Sequence, residues 1–236
     1  MTNLIDIDFD FRKDTPFGKD PDLYSPTLRQ YHKILWNKKL PNGKTFNLTD
    51  TVPKIYLYHH SQLGEFYLSS DSAIHTFSQW KSMEKIISQF DATEIEEFRH
   101  LSYTIGGMLI FPSNRINGKS TINGAKGFNP LIKDRIDLTL ECIRRFYLDE
   151  ASPLSEVLTR YADFFSLFDS FAGYVEFFLL QDMIDSHTSQ INFFMPFNDF
   201  KTPAIPTSVD QYSSYKELSM IFVNKRNKRI LQSVLT

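Results

Sequence analysis

Between Ile5 and Phe11 apolar and acidic residues alternate, with Ile5, Ile7, Phe9 and Phe11 in one phase and Asp6, Asp8 and Asp10 in the other. A period of two predicts a half-buried strand over 4–11, its acidic face guarding against edge-to-edge pairing. Ser25 and Pro26 then supply an N-cap and a first-turn residue for a helix reaching about Asn37. A turn follows at Pro41-Asn42-Gly43, and two aromatic-rich runs, 54–60 and 65–69, read as strands joined around Gly64. Downstream the apolar period lengthens. Helices are predicted over 76–90, from Asp91 to about Gly106, and over 130–147, 153–168 and 171–183, with Asp91 and Glu94 forming a capping-box-like pair. A short strand is expected over 191–197, a rigid connection at 203–206, and a long final helix over 209–234. The cations near its end, Lys225, Arg226, Lys228 and Arg229, complement the helix dipole. The fold class is therefore α+β, a mostly β N-terminal portion and a helical C-terminal two-thirds in a single compact domain. The composition changes near residue 90, which marks a subdivision into 1–90 and 91–236.

The chain has 236 residues, 42% of them hydrophobic, with 22 Phe and 11 Tyr, ample for a packed core. A formal net charge of -2 argues against a general nucleic-acid coat protein, whose affinity comes from a broad basic surface. The single cysteine, Cys142, falls in an apolar helical setting and reads as a buried, inert thiol suited to a reducing cytoplasm. Acidic residues stand where a signal peptide needs basic ones, and no apolar run approaches the ~18 residues that span a bilayer. A soluble cytoplasmic protein without membrane contact is expected.

Candidate chemistry concentrates between Gly106 and Gly127. Five of the nine glycines lie there with Arg115, Lys119 and Lys126 and no acidic residue. Glycine admits left-handed backbone and close ligand approach while the cations supply donors, so the segment reads as an anion-binding loop, with Asn114, Arg115, Lys119, Asn123 and Lys126 as its ligand-binding residues. Gly118-Lys119-Ser120 matches the end of a P-loop, but Ser113 replaces the first glycine and no helix is predicted to follow at once. Gly124-Ala125-Lys126-Gly127 has the form of a KH-type GxxG clamp, yet the residues before it read as extended rather than helical. The competing reading is a ligand-free hairpin loop built on Asn117-Gly118 and Asn123-Gly124.

After the loop a helix opening at Asn129-Pro130 places Asp134, Asp137 and Glu141 on one face, with Arg144 and Arg145 a turn further. That stripe is either an acidic site or a solvated face on which Glu141 pairs with Arg145. His59 and His60 end a strand, with Asp71 and His75 downstream, an arrangement suited to general acid–base work. The candidate catalytic residues are His59, Asp71, Asp137 and Glu141. Asp6, Asp8 and Asp10 have the spacing of a calcium loop, but Phe11 and Phe17 stand where its glycine and glutamate belong. No His-x-x-x-His pair and no Gly-x-Ser-x-Gly is present, and no motif names a cofactor.

The phrases DFDFRKDTPFGKDPDLYSPTLRQYHKILW, LYHHSQLGEFYLSSDS, IGGMLIFPSNRINGKSTINGAKGFN and DRIDLTLECIRR run through most of the chain. In them the sequence resembles an uncharacterised bacterial protein family of about this length, a resemblance that implies a bacterial cytoplasmic protein and carries no catalytic residue across. Two functions follow from the residues. One is binding of, or action on, a phosphate-containing ligand, nucleotide or RNA, at the basic glycine-rich loop. The alternative is a non-catalytic interaction or scaffold protein, homo-oligomeric or bound to another protein, whose surplus aromatic residues form its surface.

Overall fold

Ser25 opens the first long helix as its sequence predicts. In the computed structural model, which describes residues 5–50, 57–61 and 64–235 and only the backbone of 58–61 and 64, Ser25 Oγ accepts from Leu28 N at 3.1 Å and donates to Asp14. A one-turn helix α1 (Pro21–Tyr24) leads into α2 (Pro26–Trp36). Two short strands, β1 (Lys38–Lys39) and β2 (Thr45–Phe46), then pair around the predicted turn, where Gly43 takes φ 79°.

The main sheet is an antiparallel meander of β3 (Leu48–Asp50), β4 (Leu57–Ser61), β5 (Gly64–Ser72) and β6 (Met108–Pro112) in that order. The hairpin around Gly64 is the predicted one, and β6 arises from the apolar run ahead of the glycine-rich segment. Alternation along β5 sends Phe66, Leu68 and Ser70 to one face, where α2 meets Ser70 through His32. Ser69 and Asp71 point to the other face.

Helices build the rest: α3 (Glu84–Ile87), α4 (Ala92–Ser102), α5 (Ile122–Phe128), α6 (Ile136–Tyr147), α7 (Ser155–Arg160), α8 (Ala162–Ser166), α9 (Phe171–Phe177) and α10 (Val209–Ser233). Asp91 caps α4 through Thr93 N as its spacing suggests. Trp36, Phe46, Phe164, Phe168, Tyr174, Phe177 and Phe178 form one aromatic cluster with ring centroids 4.9–6.5 Å apart, which absorbs much of the phenylalanine content. No helix among the described residues is long and apolar enough to cross a membrane. Cys142 is buried, and that burial pushes its thiol up to about 12.

Several local expectations are corrected. Residues 5–11 do not form a strand: a turn at Ile7–Asp8 precedes a 3-10 turn over Phe11–Asp14. Asp6 and Asp10 bond the backbone N–H two residues on, so the acidic phase of the alternation closes Asx turns while Ile5 and Phe11 are still buried. The segment over 76–90 is helical only at Lys81–Met83 and Glu84–Ile87. The helix expected at Pro130 begins at Ile136, because Asn129 and consecutive left-handed residues Lys133 and Asp134 turn the chain first. In place of a strand over 191–197 there is one bridge, Ile184 to Ile191.

The basic run of α10 is also not a dipole feature. Arg226 is fully buried and donates to three carbonyls, Gly106 O and Met108 O at 2.8 Å and Phe178 O at 3.1–3.3 Å. Burial presses its pKa down, and those oxygens solvate the guanidinium in place of water. Arg226 thus ties α10 to the outer edge of β6 and to the end of α9. Gly106 permits the approach: a Cβ there would lie 2.5 Å from Asn227 Oδ1 and 2.6 Å from Val223 O.

Candidate functional site

Lys126 organises the densest set of ionisable groups in the fold. The glycine-rich segment containing it is helical over 122–128, because Thr121 Oγ1 caps Gly124 N, and this helix turns Lys126 inward. Its ammonium lies 2.6 Å from Asp71 Oδ2 of β5 and 2.8 Å from Asp134 Oδ1 of the turn before α6. The lysine side chain is 4% exposed and the two aspartates 22% and 27%, so the carboxylates join a buried cation to water. Gly127 leaves room for this contact, since a Cβ there would sit 2.9 Å from Asp134 Oδ2 and the carboxylate would have to shift.

A third carboxyl approaches from α1. Asp22 Oδ2 accepts from Ser72 N at 3.2 Å, and its buried Oδ1 has no hydrogen-bond partner. Burial, then the charges of Asp71 and Asp20, hold the Asp22 carboxyl well above the usual aspartate range. Burial raises Asp71 as well, against the pull of Lys126. Burial works against the Lys126 ammonium, and its two aspartates more than offset this, leaving its pKa above that of an ordinary lysine.

Beside this cluster lies a cleft of about 300 Å³ lined by Ser72, His75, Trp80, Arg99 and Tyr103 among others, and Ser72, whose N–H bonds Asp22, links the carboxyls to its wall. His75 Nδ1 accepts from Phe77 N at 2.9 Å, and burial lowers its pKa against the attraction of Asp134, so the ring is neutral with its proton on Nε2. Tyr103 is raised by burial and by the charges of Asp22 and Asp20. Lys133 Nζ lies 5.5 Å from the ring of Trp80, a residue of the cleft lining.

Backbone strain accompanies the cleft. Phe77, a buried non-glycine residue, is left-handed at φ 56°, and Lys133 and Asp134 follow each other at 49° and 59°. Such residues cost ~1–3 kcal/mol each and persist where their surroundings over-determine them. Here Tyr215 Oη donates to His75 O at 2.8 Å and Tyr212 Oη to Thr76 O at 2.9 Å, fixing the 75–77 segment from α10.

A serine–histidine contact nearby has the wrong polarity for nucleophilic catalysis. Trp36 Nε1–H donates to His32 Nδ1 at 3.0 Å, so Nε2 carries the proton and donates to Ser70 Oγ at 2.9 Å. Burial, with Arg226 and Arg29, lowers His32 to about 3. An unfolded histidine takes a proton below about 6.5 while the folded one refuses it until about 3. His32 therefore contributes stability above the unfolded value that is lost as pH falls through this window, with a slope approaching ~1.4 kcal/mol per pH unit. Urea unfolding at pH 7, 6, 5 and 4 is expected to show this decline, shallower in His32→Gln.

The residues singled out in sequence are dispersed as well as gathered. Asp71 and Lys126 meet, and Asn123 Nδ2 donates to Ser69 Oγ at 3.1 Å on the same sheet face, leaving its buried Oδ1 without a partner. Arg115 is exposed and has no ion pair among the described residues, whereas Lys119 bonds Glu156 at 2.7 Å. Asn114 O accepts from Tyr161 Oη, and Asn114 Oδ1 and Ser113 Oγ are buried without partners. Two of the loop's predicted ligands thus turn away from Arg115, Lys126 being ion-paired in the interior and Asn123 facing the sheet, while Lys119 stays exposed and pairs with Glu156.

Asp137 is fully buried, gripped by Arg135 through both carboxylate oxygens and accepting from Phe194 N at 2.9 Å. Glu141 accepts from Arg144 and Arg145 at 2.8–2.9 Å, the pairing expected of a structural stripe. Asp134, read as part of that stripe, faces Lys126 instead. His59 stands on β4 opposite Leu48 and Phe66, and its side chain lies outside the described residues. Among the described residues no group of three or more His, Cys, Asp or Glu side chains is arranged to hold a metal ion.

The sequence carries no sign of Asp22 or Tyr103 as site residues, and points to Asp134 and His75 only as a member of the acidic stripe and a histidine downstream of Asp71. Asp20-Pro21-Asp22 signals only a helix start, and nothing local tells Asp22 from a capping residue. Comparison with curated proteins and with solved structures finds no match. A family model does match nearly end to end: the chain belongs to the family of unknown function DUF6994, whose model spans residues 5–230.

Proposed function

We propose that the cleft between the 72–80 segment and the end of α4 binds a small polar ligand presenting hydrogen-bond donors or a cationic group, with Asp22 as proton carrier. The observation that supports this most is that Lys126 is ion-paired with Asp71 and Asp134 while a third carboxyl, Asp22, stands in the same cluster and is bonded by the N–H of Ser72, a residue of the cleft wall. Elsewhere buried carboxylates have dedicated guanidinium partners, as Asp137 has Arg135 and Glu141 has Arg144 and Arg145. The surplus is negative. A ligand N–H or cation bound in the cleft relieves it and lowers the Asp22 pKa, and the proton that Asp22 gives up passes to a basic atom elsewhere on the bound molecule. That is general acid chemistry, and the neutral His75 supplies an N–H donor across the cleft.

A second reading rests on Arg115, an exposed guanidinium without an ion pair among the described residues, beside the unpartnered Ser113 Oγ and Asn114 Oδ1. It assigns a phosphate-containing ligand, nucleotide or RNA, to the 113–120 loop. A thermal-shift screen of amines, polyols, nucleosides and phosphate compounds at pH 7 separates the two. The cleft reading expects donor-rich ligands to raise Tm and the shift to vanish in Asp22→Asn and in His75→Gln. Stabilisation that survives both substitutions and vanishes in Arg115→Ala combined with Lys119→Ala overturns it in favour of the loop.

A further inference from the structure

A second cavity, about 670 Å³, lies between the β1–β2 hairpin and α9 and is independent of the cleft. Lys38 enters its wall. Its Nζ donates to Phe177 O at 2.6 Å and lies 4.6 Å from the Phe177 ring centroid and 5.0 Å from that of Trp36. No carboxylate among the described residues lies within ion-pair distance. Two non-glycine residues of the same wall are left-handed, Asp169 at φ 61° and Leu179 at φ 54°, and Gln181 Oε1 is buried there without a partner. A strained wall, an orphaned acceptor and a lysine held by neutral groups are what a ligand site requires and a solvated surface does not.

We propose that Lys38 captures a small hydroxylated aldehyde in this cavity as an imine. The amine attacks the carbonyl carbon to form the C–N bond. The carbonyl oxygen takes up a proton, giving a carbinolamine, and then leaves as water while C=N forms, so condensation needs no oxidant or reductant. Glu176, in the same wall, supplies a carboxylate for the proton transfers, and Leu40 and Leu179 cover the carbon chain. Gln181 Oε1 accepts from a ligand hydroxyl. Burial and the nearby Arg226 press the Lys38 ammonium down to about 8, so roughly a tenth is free amine at pH 7, far more than for an ordinary lysine.

The test is reductive trapping of the native protein with glyceraldehyde and cyanoborohydride at pH 6–10, followed by peptide mass mapping, with propanal as the hydroxyl-free control. The first adduct is expected at Lys38, its rate rising with a midpoint near pH 8, and absent in Lys38→Arg. Glyceraldehyde is expected to react at least threefold faster than propanal there, a preference lost in Gln181→Ala. Because the mapping uses the unsubstituted chain, it decides even if Lys38→Arg fails to fold. Labelling led by exposed lysines such as Lys119, with Lys38 no faster, overturns the proposal; equal rates for the two aldehydes overturn the hydroxylated ligand.

Discussion

Arg226→Met is expected to cause the largest loss of stability of any single substitution outside the aromatic cluster. Methionine fills much of the volume but donates nothing, stranding Gly106 O, Met108 O and Phe178 O in the interior. Each buried acceptor left unmade costs ~1–3 kcal/mol, so a loss of roughly 4 kcal/mol is expected, a large part of a typical domain's total. Arg226→Lys is expected to recover only part of it, since a single ammonium cannot span carbonyls from β6 and from the end of α9. Urea unfolding at pH 7 checks both; a midpoint for Arg226→Met within ~0.5 kcal/mol of the parent, the range of an ordinary surface change, contradicts the clamp.

Lys126→Met removes the one cation shared by the carboxyl cluster. Breaking a buried pair by deleting one partner costs ~3–5 kcal/mol, and because Asp71 and Asp134 keep some contact with water the lower end, about 3 kcal/mol, applies at pH 7. The sign of the pH dependence distinguishes this from a packing defect. Without Lys126 the pKa values of Asp22 and Asp71, already raised by burial, rise further, so the penalty is full above them and is relieved as pH falls and they take up protons. The variant is therefore expected to close part of its gap to the parent between pH 7 and pH 5, and Lys126→Met with Asp134→Asn to lose less than the single substitution at pH 7. Unfolding curves for the three proteins at the two pH values provide the check.

What was legible in the sequence was what is decided locally. Ser25-Pro26, Asp91, the Pro41-Asn42-Gly43 turn, the hairpin around Gly64 and the helix over 209–233 carry their own signals in adjacent residues. Where one signal serves two structures, the reading went astray. Asn123-Gly124 suits a hairpin tip, but Thr121 makes it the first turn of α5, and that choice turns Lys126 from a loop cation into an interior one. The alternation over 5–11 matched a strand in period, yet its aspartates bond their own backbone and bend the chain while the apolar phase stays inward. The candidate site was visible only in pieces. Asp71 and Lys126 were singled out for separate reasons, catalysis for one and anion binding for the other, and only β5 packing on α5 makes them a pair. Asp22 and Arg226 had no signal, because their roles depend on partners far away in the chain.

Asp22, behind Ser72 of the cleft wall, is expected to keep its proton when ordinary aspartates have lost theirs. Carboxyl-carbon NMR of aspartate-labelled protein, titrated from pH 3 to 9 and assigned with Asp22→Asn, measures this directly. The resonance lost in Asp22→Asn is expected to titrate well above the usual aspartate range, and to move down when a donor-rich ligand stabilises the protein. An Asp22 resonance that titrates near the ordinary aspartate value of 3.8 and ignores every ligand that binds contradicts the account.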